Sequence, residues 1–125
     1  MAFVGGGPST PDEVVLLDVT ARSMDVLRSS SSVNVEEEHF SIPRQIEFPT
    51  EGGATAFAHF YPPRNPDATG PVGEAPPLIV MSHGGPTAEA TPEFSLEMQF
   101  WTSRGFAILD VNYSGSSGFG SLSGK

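Results

Sequence analysis

The sequence contains no cysteine, few basic residues and no long apolar run. The absence of cysteine excludes disulfides, thiolate zinc sites, iron–sulfur clusters and a cysteine nucleophile. Only 6 Lys and Arg oppose 15 Asp and Glu, which gives a formal net charge of -9 at pH 7. Because binding to a phosphate backbone needs clustered positive charge, the composition argues against a nucleic-acid partner.

Membrane insertion is also not expected. No apolar stretch approaches the roughly 20 residues that a spanning helix needs, and residues 1–13 lack the charged start and apolar run of a signal peptide. We therefore expect no membrane association and a cytoplasmic location. The length of 125 residues corresponds to one domain at most. Fourteen glycines and 12 prolines indicate a loop-rich protein that contains β-structure.

The first half of the chain has the pattern of two β-hairpins. Val14–Val19 and Met24–Leu27 are apolar runs of strand length separated by a short turn. Arg44–Phe48 and Thr55–Tyr61 alternate weakly, and the two glycines between them suit a tight turn. The sequence therefore predicts two antiparallel strand pairs before residue 62.

Three other stretches are predicted to be irregular. Residues 1–13 are mostly turn-forming and have little to bury, so we expect a frayed start. The acidic run Glu36–Glu38 either binds a cation or forms a solvated loop, and charge runs of this kind favour the loop. Six prolines within residues 62–77 exclude a helix and indicate an exposed connection.

The second half has the pattern of a strand, a helix and a second strand. Leu78–Met81 and Phe106–Val111 are short, continuously apolar runs, which are typical of strands buried on both faces. A helix is expected to begin with Thr91 as its N-cap and to end at Arg104, with Gly105 as the C-terminal cap. This order is a βαβ unit, so we expect a parallel or mixed sheet with helices on its faces.

The spacing within that helix predicts its apolar side. Leu96, Phe100 and Trp101 recur at helical intervals and would lie on one face. We expect this face to cover the sheet.

A glycine pair directly follows the first of these apolar strands. In open α/β sheets the ligand crevice lies outside the carboxyl ends of the strands. Gly84 and Gly85 allow the backbone to turn sharply and to direct N–H groups at a negatively charged oxygen, and Pro86 stiffens the exit. These residues predict an oxyanion hole, although an ordinary strand-to-loop turn is an alternative that the residues alone leave open.

Two motifs carry a resemblance to a known family. The segment Leu78–Gly120, with H-G-G-P at 83–86 and N-Y-S-G-S-S-G-F-G at 112–120, resembles the opening of the catalytic domain of prolyl oligopeptidase family serine peptidases. The acylaminoacyl-peptidase and dipeptidyl-aminopeptidase branch is the most similar, since its members carry H-G-G-P and then N-Y-x-G-S-T-G-Y/F-G after successive strands.

The resemblance implies an α/β fold. The expected architecture is a truncated α/β-hydrolase sheet, namely a βαβ unit with an H-G-G-P loop, preceded by β-hairpins from the end of a β-propeller. Residues 1–40 would be the remnant of the last propeller strands, and residues 41–125 would be the incomplete start of the catalytic domain.

The resemblance also implies a set of site residues. The oxyanion-hole loop would consist of His83, Gly84, Gly85 and Pro86. The N–H of Gly85 would be a donor to the oxyanion, and His83 would not be the catalytic base. The rim of the active site would be lined by Asn112, Tyr113, Ser114, Gly115, Ser116, Gly118 and Gly120. His39 and His59 match no functional position of the family, so both are expected at the surface. No metal and no cofactor are implied.

The chain departs from the family in one important respect. The family's nucleophile is a serine in a G-x-S-x-G turn, followed by an aspartate and a histidine. No G-x-S-x-G occurs in this sequence, so a catalytic triad is absent from the chain. Residues 121–125 also differ from the family's continuation, which indicates a cut or mis-joined end. We therefore expect an N-terminal fragment of the catalytic domain that is inactive alone.

The functional hypothesis follows from these residues. The chain is expected to be a fragment of a serine-type peptidase that hydrolyses bonds near the N-terminus of short peptides, contributing the oxyanion loop but not the nucleophile. A carboxylesterase or lipase-like hydrolase fragment and a non-catalytic β-rich interaction module are the alternatives. The expected partner is a short peptide substrate of the full-length enzyme, and the sequence sets no oligomeric state.

Overall fold

The computed structural model describes residues 1–33, 35–85 and 87–118. These residues form a β-rich structure of two sheets, one with three strands and one with four. No helix among them is long and apolar enough to span a membrane. The elements in chain order are β1 (Ala2–Gly7), β2 (Thr10–Asp18), β3 (Ser23–Ser29), a short 3₁₀-helix (Glu37–His39), β4 (Arg44–Pro49), a second 3₁₀-helix (Glu51–Gly53), β5 (Thr55–Tyr61), β6 (Leu78–Ser82), α1 (Leu96–Thr102) and β7 (Ala107–Asn112).

The first sheet is an antiparallel meander in the order β1-β2-β3. The predicted hairpin is confirmed as β2 and β3, but the expectation of a frayed start is wrong. β1 pairs with β2 from Ala2 opposite Leu16 to Gly7 opposite Thr10. Backbone hydrogen bonds form this ladder, and they require no apolar side chains. Gly6 permits the close pairing, because a Cβ at this position would collide with the side chain of Asp12.

The second sheet is mixed, in the order β4-β5-β7-β6. The predicted hairpin is confirmed as β4 and β5, and β5 also pairs with β7 in the antiparallel direction. β6 and β7 are parallel, with Leu78 opposite Ala107 and Ser82 opposite Val111. Since α1 connects these two strands, the predicted βαβ unit is present, and the carboxyl ends of β6 and β7 lie at the same edge of the sheet.

The helix is shorter than predicted at its beginning. α1 starts after Ser95, whose hydroxyl caps the N–H of Met98, and not after Thr91. Residues 91–95 stay non-helical because the backbone of Ala90 is held to the sheet and Phe94 packs edge-on against Phe40. At the other end α1 stops at Thr102, two residues before the predicted Arg104, while Gly105 has a φ of +89°, the left-handed conformation that follows many helices.

The predicted apolar face of α1 is only partly correct. Leu96 and Phe100 are exposed, whereas Met98 and Thr102 are buried and Trp101 packs at the margin of the core. The core of the second sheet is centred on Tyr61, Met98 and Ile108. The helix is rotated from the predicted face because Gln99 is drawn inward, where its side chain binds both backbone groups of Ser41.

Candidate functional site

Two loops meet at the carboxyl ends of the parallel strands. The first, named here the HGG loop, follows β6 and comprises residues 83–85 and 87–90. The second, named here the NYSG loop, begins at the end of β7 and comprises residues 112–118. Of the predicted site residues, Pro86 and Gly120 lie outside the described residues, as do residues 121–125.

Gly85 is the most distinctive residue of the HGG loop. Its φ is +81°, a conformation that glycine adopts at no steric cost, and both Gly84 and Gly85 are exposed. Within the described part of the chain, the N–H of Gly85 has no hydrogen-bond acceptor. A backbone donor without an acceptor among the described residues therefore lies on an exposed residue, at the edge of the sheet where α/β proteins bind ligands.

The predicted rim residues divide into two groups. Tyr113, Ser114, Gly115 and Gly118 are exposed. Asn112 and Ser116, by contrast, are only 2% and 3% exposed. The side chains of Asn112 and Ser116 therefore hold the loops in place from within.

A short hydrogen-bond relay connects the two loops. The Ser116 hydroxyl donates to the carbonyl of Tyr113 at 2.7 Å and lies 2.6 Å from Nε2 of His83. Because a hydroxyl has one proton, Ser116 must accept from His83, whose Nε2 therefore carries hydrogen. The ring of His83 also stacks on the ring of Tyr113, with centroids 4.4 Å apart. His83 thus joins the loops and is oriented by them.

The contact between Ser116 and His83 brings together the residue types of a nucleophile and its base, but not in a catalytic arrangement. The proton of Ser116 is directed at a carbonyl and away from the imidazole. The Nδ1 atom of His83 is buried and has no hydrogen-bond partner among the described residues, so no carboxylate orients the ring. Since Ser116 is also buried, it cannot reach a substrate carbonyl. This pair does not supply the missing triad.

A second set of hydrogen bonds attaches the HGG loop to the sheet. The amide of Asn112 accepts from the N–H of Ala90 at 2.7 Å and donates to the carbonyl of Ala90 at 3.0 Å. Nε2 of His59 lies 3.1 Å from the same carbonyl. The expectation of a surface position for His59 is wrong: the residue is 7% exposed, because β5 is flanked by strands on both sides.

A cleft of about 350 Å³ opens beside these loops, between the sheet and the segment that precedes α1. It has a mixed lining of acidic, hydroxyl and apolar side chains. The lining residues are Tyr61, Met81, Ser82, His83, Glu89, Ala90, Thr91, Glu93, Phe94, Ser95, Met98 and Asp110.

Burial changes the electrostatics of two residues at this cleft. It raises the pKa of Asp110, although the nearby His59 and His83 lower it. Burial likewise raises the pKa of Tyr61 to about 12, and the negative charge of Asp110 adds to that shift. Sequence reasoning missed both residues. Side chains alternate between the two faces along a strand, and this alternation places His59, Tyr61 and Asp110 on one face of the sheet. That pattern is the sequence signal that could have identified them.

The acidic run outside this site is solvated, as expected. Glu36, Glu37 and Glu38 are exposed. Possible ligand atoms of Glu36, Glu38 and His39 lie within 4.8 Å of one another, but the two glutamates face solvent. His39 is partly buried and lies 4.0 Å from both Glu36 and Asp67. Nothing else at this cluster indicates a bound ion.

Comparison with known proteins identifies the class of protein to which this chain is similar. No profile of a protein family matches the chain. A solved puromycin-hydrolyzing peptidase of Mycobacterium tuberculosis, however, superimposes with a TM-score of 0.88 and is 39% identical, covering 95% of this chain and 18% of that chain. The predicted resemblance to prolyl oligopeptidase family peptidases is confirmed, since this chain is similar to a segment of several peptidases of that family.

Two curated relatives match shorter stretches of the chain. Dipeptidyl aminopeptidase BIII of Pseudoxanthomonas mexicana is 34% identical over 77 residues, which is 60% of this chain and 11% of the relative. The human acylamino-acid-releasing enzyme is 46% identical over 44 residues, or 35% of this chain and 6% of the relative. The chain thus spans less than a fifth of the length of the relatives that it matches.

Proposed function

We propose that this chain supplies the oxyanion-binding loop of a serine-type peptidase that cleaves short peptides near their N-terminus. The observation that supports the proposal is the N–H of the exposed residue Gly85, which has no acceptor within the described residues and follows the carboxyl end of a parallel strand. Preorganised backbone donors of this kind stabilise the negative oxygen of a tetrahedral intermediate.

The proposal assigns a definite part of the reaction to these residues. A serine outside residues 1–125 would attack the scissile carbonyl carbon, and the serine proton would pass to a base and then to the leaving amine. The carbonyl oxygen, negatively charged in the intermediate, would accept a hydrogen bond from Gly85. The chain contributes electrostatic stabilisation, and the nucleophile comes from elsewhere.

The proposal extends to the domain assignment. The mixed sheet β4-β5-β7-β6 would be the beginning of an α/β-hydrolase domain within residues 41–125, and the meander β1-β2-β3 would be the end of a β-propeller within residues 1–40. The separation of the strands into two sheets with an intervening connection supports this division. The names of the relatives support a peptide as the substrate.

The test uses the protein from its native source. Intact mass would be measured before and after treatment with a fluorophosphonate, which labels activated serines. We expect a species several times heavier than 13.2 kDa that gains one adduct and hydrolyses aminoacyl anilides. An unlabelled species of 13.2 kDa without hydrolysis would contradict the proposal, and hydrolysis of carboxyl esters alone would favour the esterase alternative.

A further inference from the structure

The hydroxyl of Tyr113 contacts the backbone on either side of the proposed oxyanion donor. It lies 2.8 Å from the carbonyl oxygen of Gly85 and 3.3 Å from that of His83. The phenol has one proton and can donate it fully to one carbonyl, so the shorter contact to Gly85 dominates. A side chain of the NYSG loop therefore holds the carbonyl of Gly85 and, more weakly, that of His83, so it restrains the backbone on both sides of the Gly85 N–H.

The ring of Tyr113 is itself fixed. It stacks on the imidazole of His83, and its own backbone carbonyl accepts from the Ser116 hydroxyl. Ser116 in turn holds Nε2 of His83. These contacts form a closed arrangement in which Tyr113, Ser116 and His83 position one another and the glycine loop.

Gly85 requires such an external restraint. A glycine has more backbone freedom than any other residue, and Gly85 is exposed with a φ of +81°. A freely rotating peptide would present its N–H in many directions, whereas an oxyanion donor must be fixed before the reaction.

We propose that Tyr113 is a positioning residue that holds the Gly85 backbone in the orientation that an oxyanion requires. The inference rests on the proposed peptidase function for its catalytic consequence. Its structural consequence, a restrained Gly85, does not depend on that function. In this proposal Tyr113 acts through Gly85.

The test compares two variants that each remove one hydroxyl between the same loops. Tyr113→Phe removes the bond to Gly85 and keeps the stacked ring. Ser117→Ala removes the bond from the Ser117 hydroxyl to the carbonyl of Thr87, at 3.0 Å, and leaves Gly85 untouched. A role limited to joining the loops would give both variants the same effect.

In the complete peptidase, we expect Tyr113→Phe to lower kcat about tenfold with less than a twofold change in KM. Its affinity for a peptide aldehyde, which forms a tetrahedral adduct, should fall by a similar factor, while its affinity for the product amine is unchanged. Ser117→Ala should change each quantity less than twofold. Equal losses in the two variants, or an unchanged kcat in Tyr113→Phe, would overturn the inference.

A structural measurement separates this inference from the proposed function. In the full polypeptide labelled with ¹⁵N-glycine, the amide order parameter of Gly85 should fall in Tyr113→Phe and stay constant in Ser117→Ala. An unchanged order parameter in Tyr113→Phe would overturn the positioning role. If the wild-type protein instead fails to react with the fluorophosphonate, the proposed function is wrong. The order parameter still shows whether Tyr113 restrains the backbone of Gly85.

Discussion

The two sheets of this chain are stabilised in different ways. In the meander β1-β2-β3, Val15 is the single buried apolar residue among those described, and both neighbouring strands expose large apolar side chains. In the sheet β4-β5-β7-β6, Tyr61, Met98 and Ile108 form a core, and buried polar side chains fasten the surrounding loops. Backbone pairing with little side-chain burial characterises the first sheet, whereas the second sheet is also held by buried side chains.

This difference explains why the candidate site lies on the second sheet. A site needs groups held at defined distances, and buried residues such as Asn112 and Gln99 provide this by binding backbone across long sequence separations. The first sheet offers no comparable network among the described residues. The candidate site therefore depends on packing that is concentrated in one half of the chain.

The largest predicted difference between the two sheets is the loss of stability when an apolar side chain is shortened to alanine. Ile108→Ala removes a side chain that is 0% exposed and should lower the free energy of unfolding by about 2–5 kcal/mol. Val26→Ala in β3, where the side chain is 55% exposed, should change it by less than about 0.5 kcal/mol. Urea unfolding at low protein concentration in a stabilising osmolyte, monitored by the fluorescence of Trp101, measures both. Equal effects would contradict the division of stability between the sheets.

The next largest effect concerns the polar network. Asn112→Ala leaves the buried N–H of Ala90 without its acceptor, so the free energy of unfolding should fall by about 1–3 kcal/mol. The HGG loop should also become susceptible to proteolysis at Ala88–Glu89. Asn65→Ala, which removes the bond from an exposed connection to the Ser103 carbonyl, serves as a control. Equal protection of the loop in both variants would contradict the role of Asn112.

A third prediction uses the charge coupling in the cleft. The pKa of Tyr61 should be about 12, above the ordinary tyrosine value of 10.0, in an ultraviolet titration of the native protein. Because the folded state retains this proton more tightly, stability is fully present below pH 10 and decreases as the pH rises through 12. Asp110→Asn should bring the titration to lower pH, since the carboxylate contributes to the shift. An unchanged pKa of Tyr61 in Asp110→Asn would exclude the coupling between the two residues. The Tyr61→Phe variant identifies which part of the ultraviolet signal belongs to Tyr61.

The smallest effect is expected on the exposed side of the meander. We expect the isolated chain to be marginally stable and prone to aggregate, because large apolar side chains are left exposed. Val26→Lys should reduce self-association in sedimentation experiments while leaving the free energy of unfolding nearly unchanged. A monodisperse wild-type monomer with a cooperative thermal transition would contradict the expectation.

The sequence predicted the secondary-structure elements better than the burial of individual side chains. The hairpins and the βαβ unit followed from apolar runs and glycine turns, and the position of Gly85 followed from the end of a strand. The strand at Ala2–Gly7 was missed because its pairing depends on backbone bonds that composition does not reveal. The burial of His59 and the inward rotation of Gln99 were missed because both depend on partners 31 and 58 residues away.

The central claim is that the N–H of Gly85 stabilises an oxyanion. Removal of that single N–H group tests the claim most directly. In the complete peptidase, glycolic acid would replace Gly85 and convert its amide to an ester, with the same replacement at exposed Gly73 as the control. We expect kcat to fall about 10²–10³-fold at Gly85 and to stay constant at Gly73, with KM little changed in both. An unchanged kcat after replacement of Gly85 would contradict the assignment.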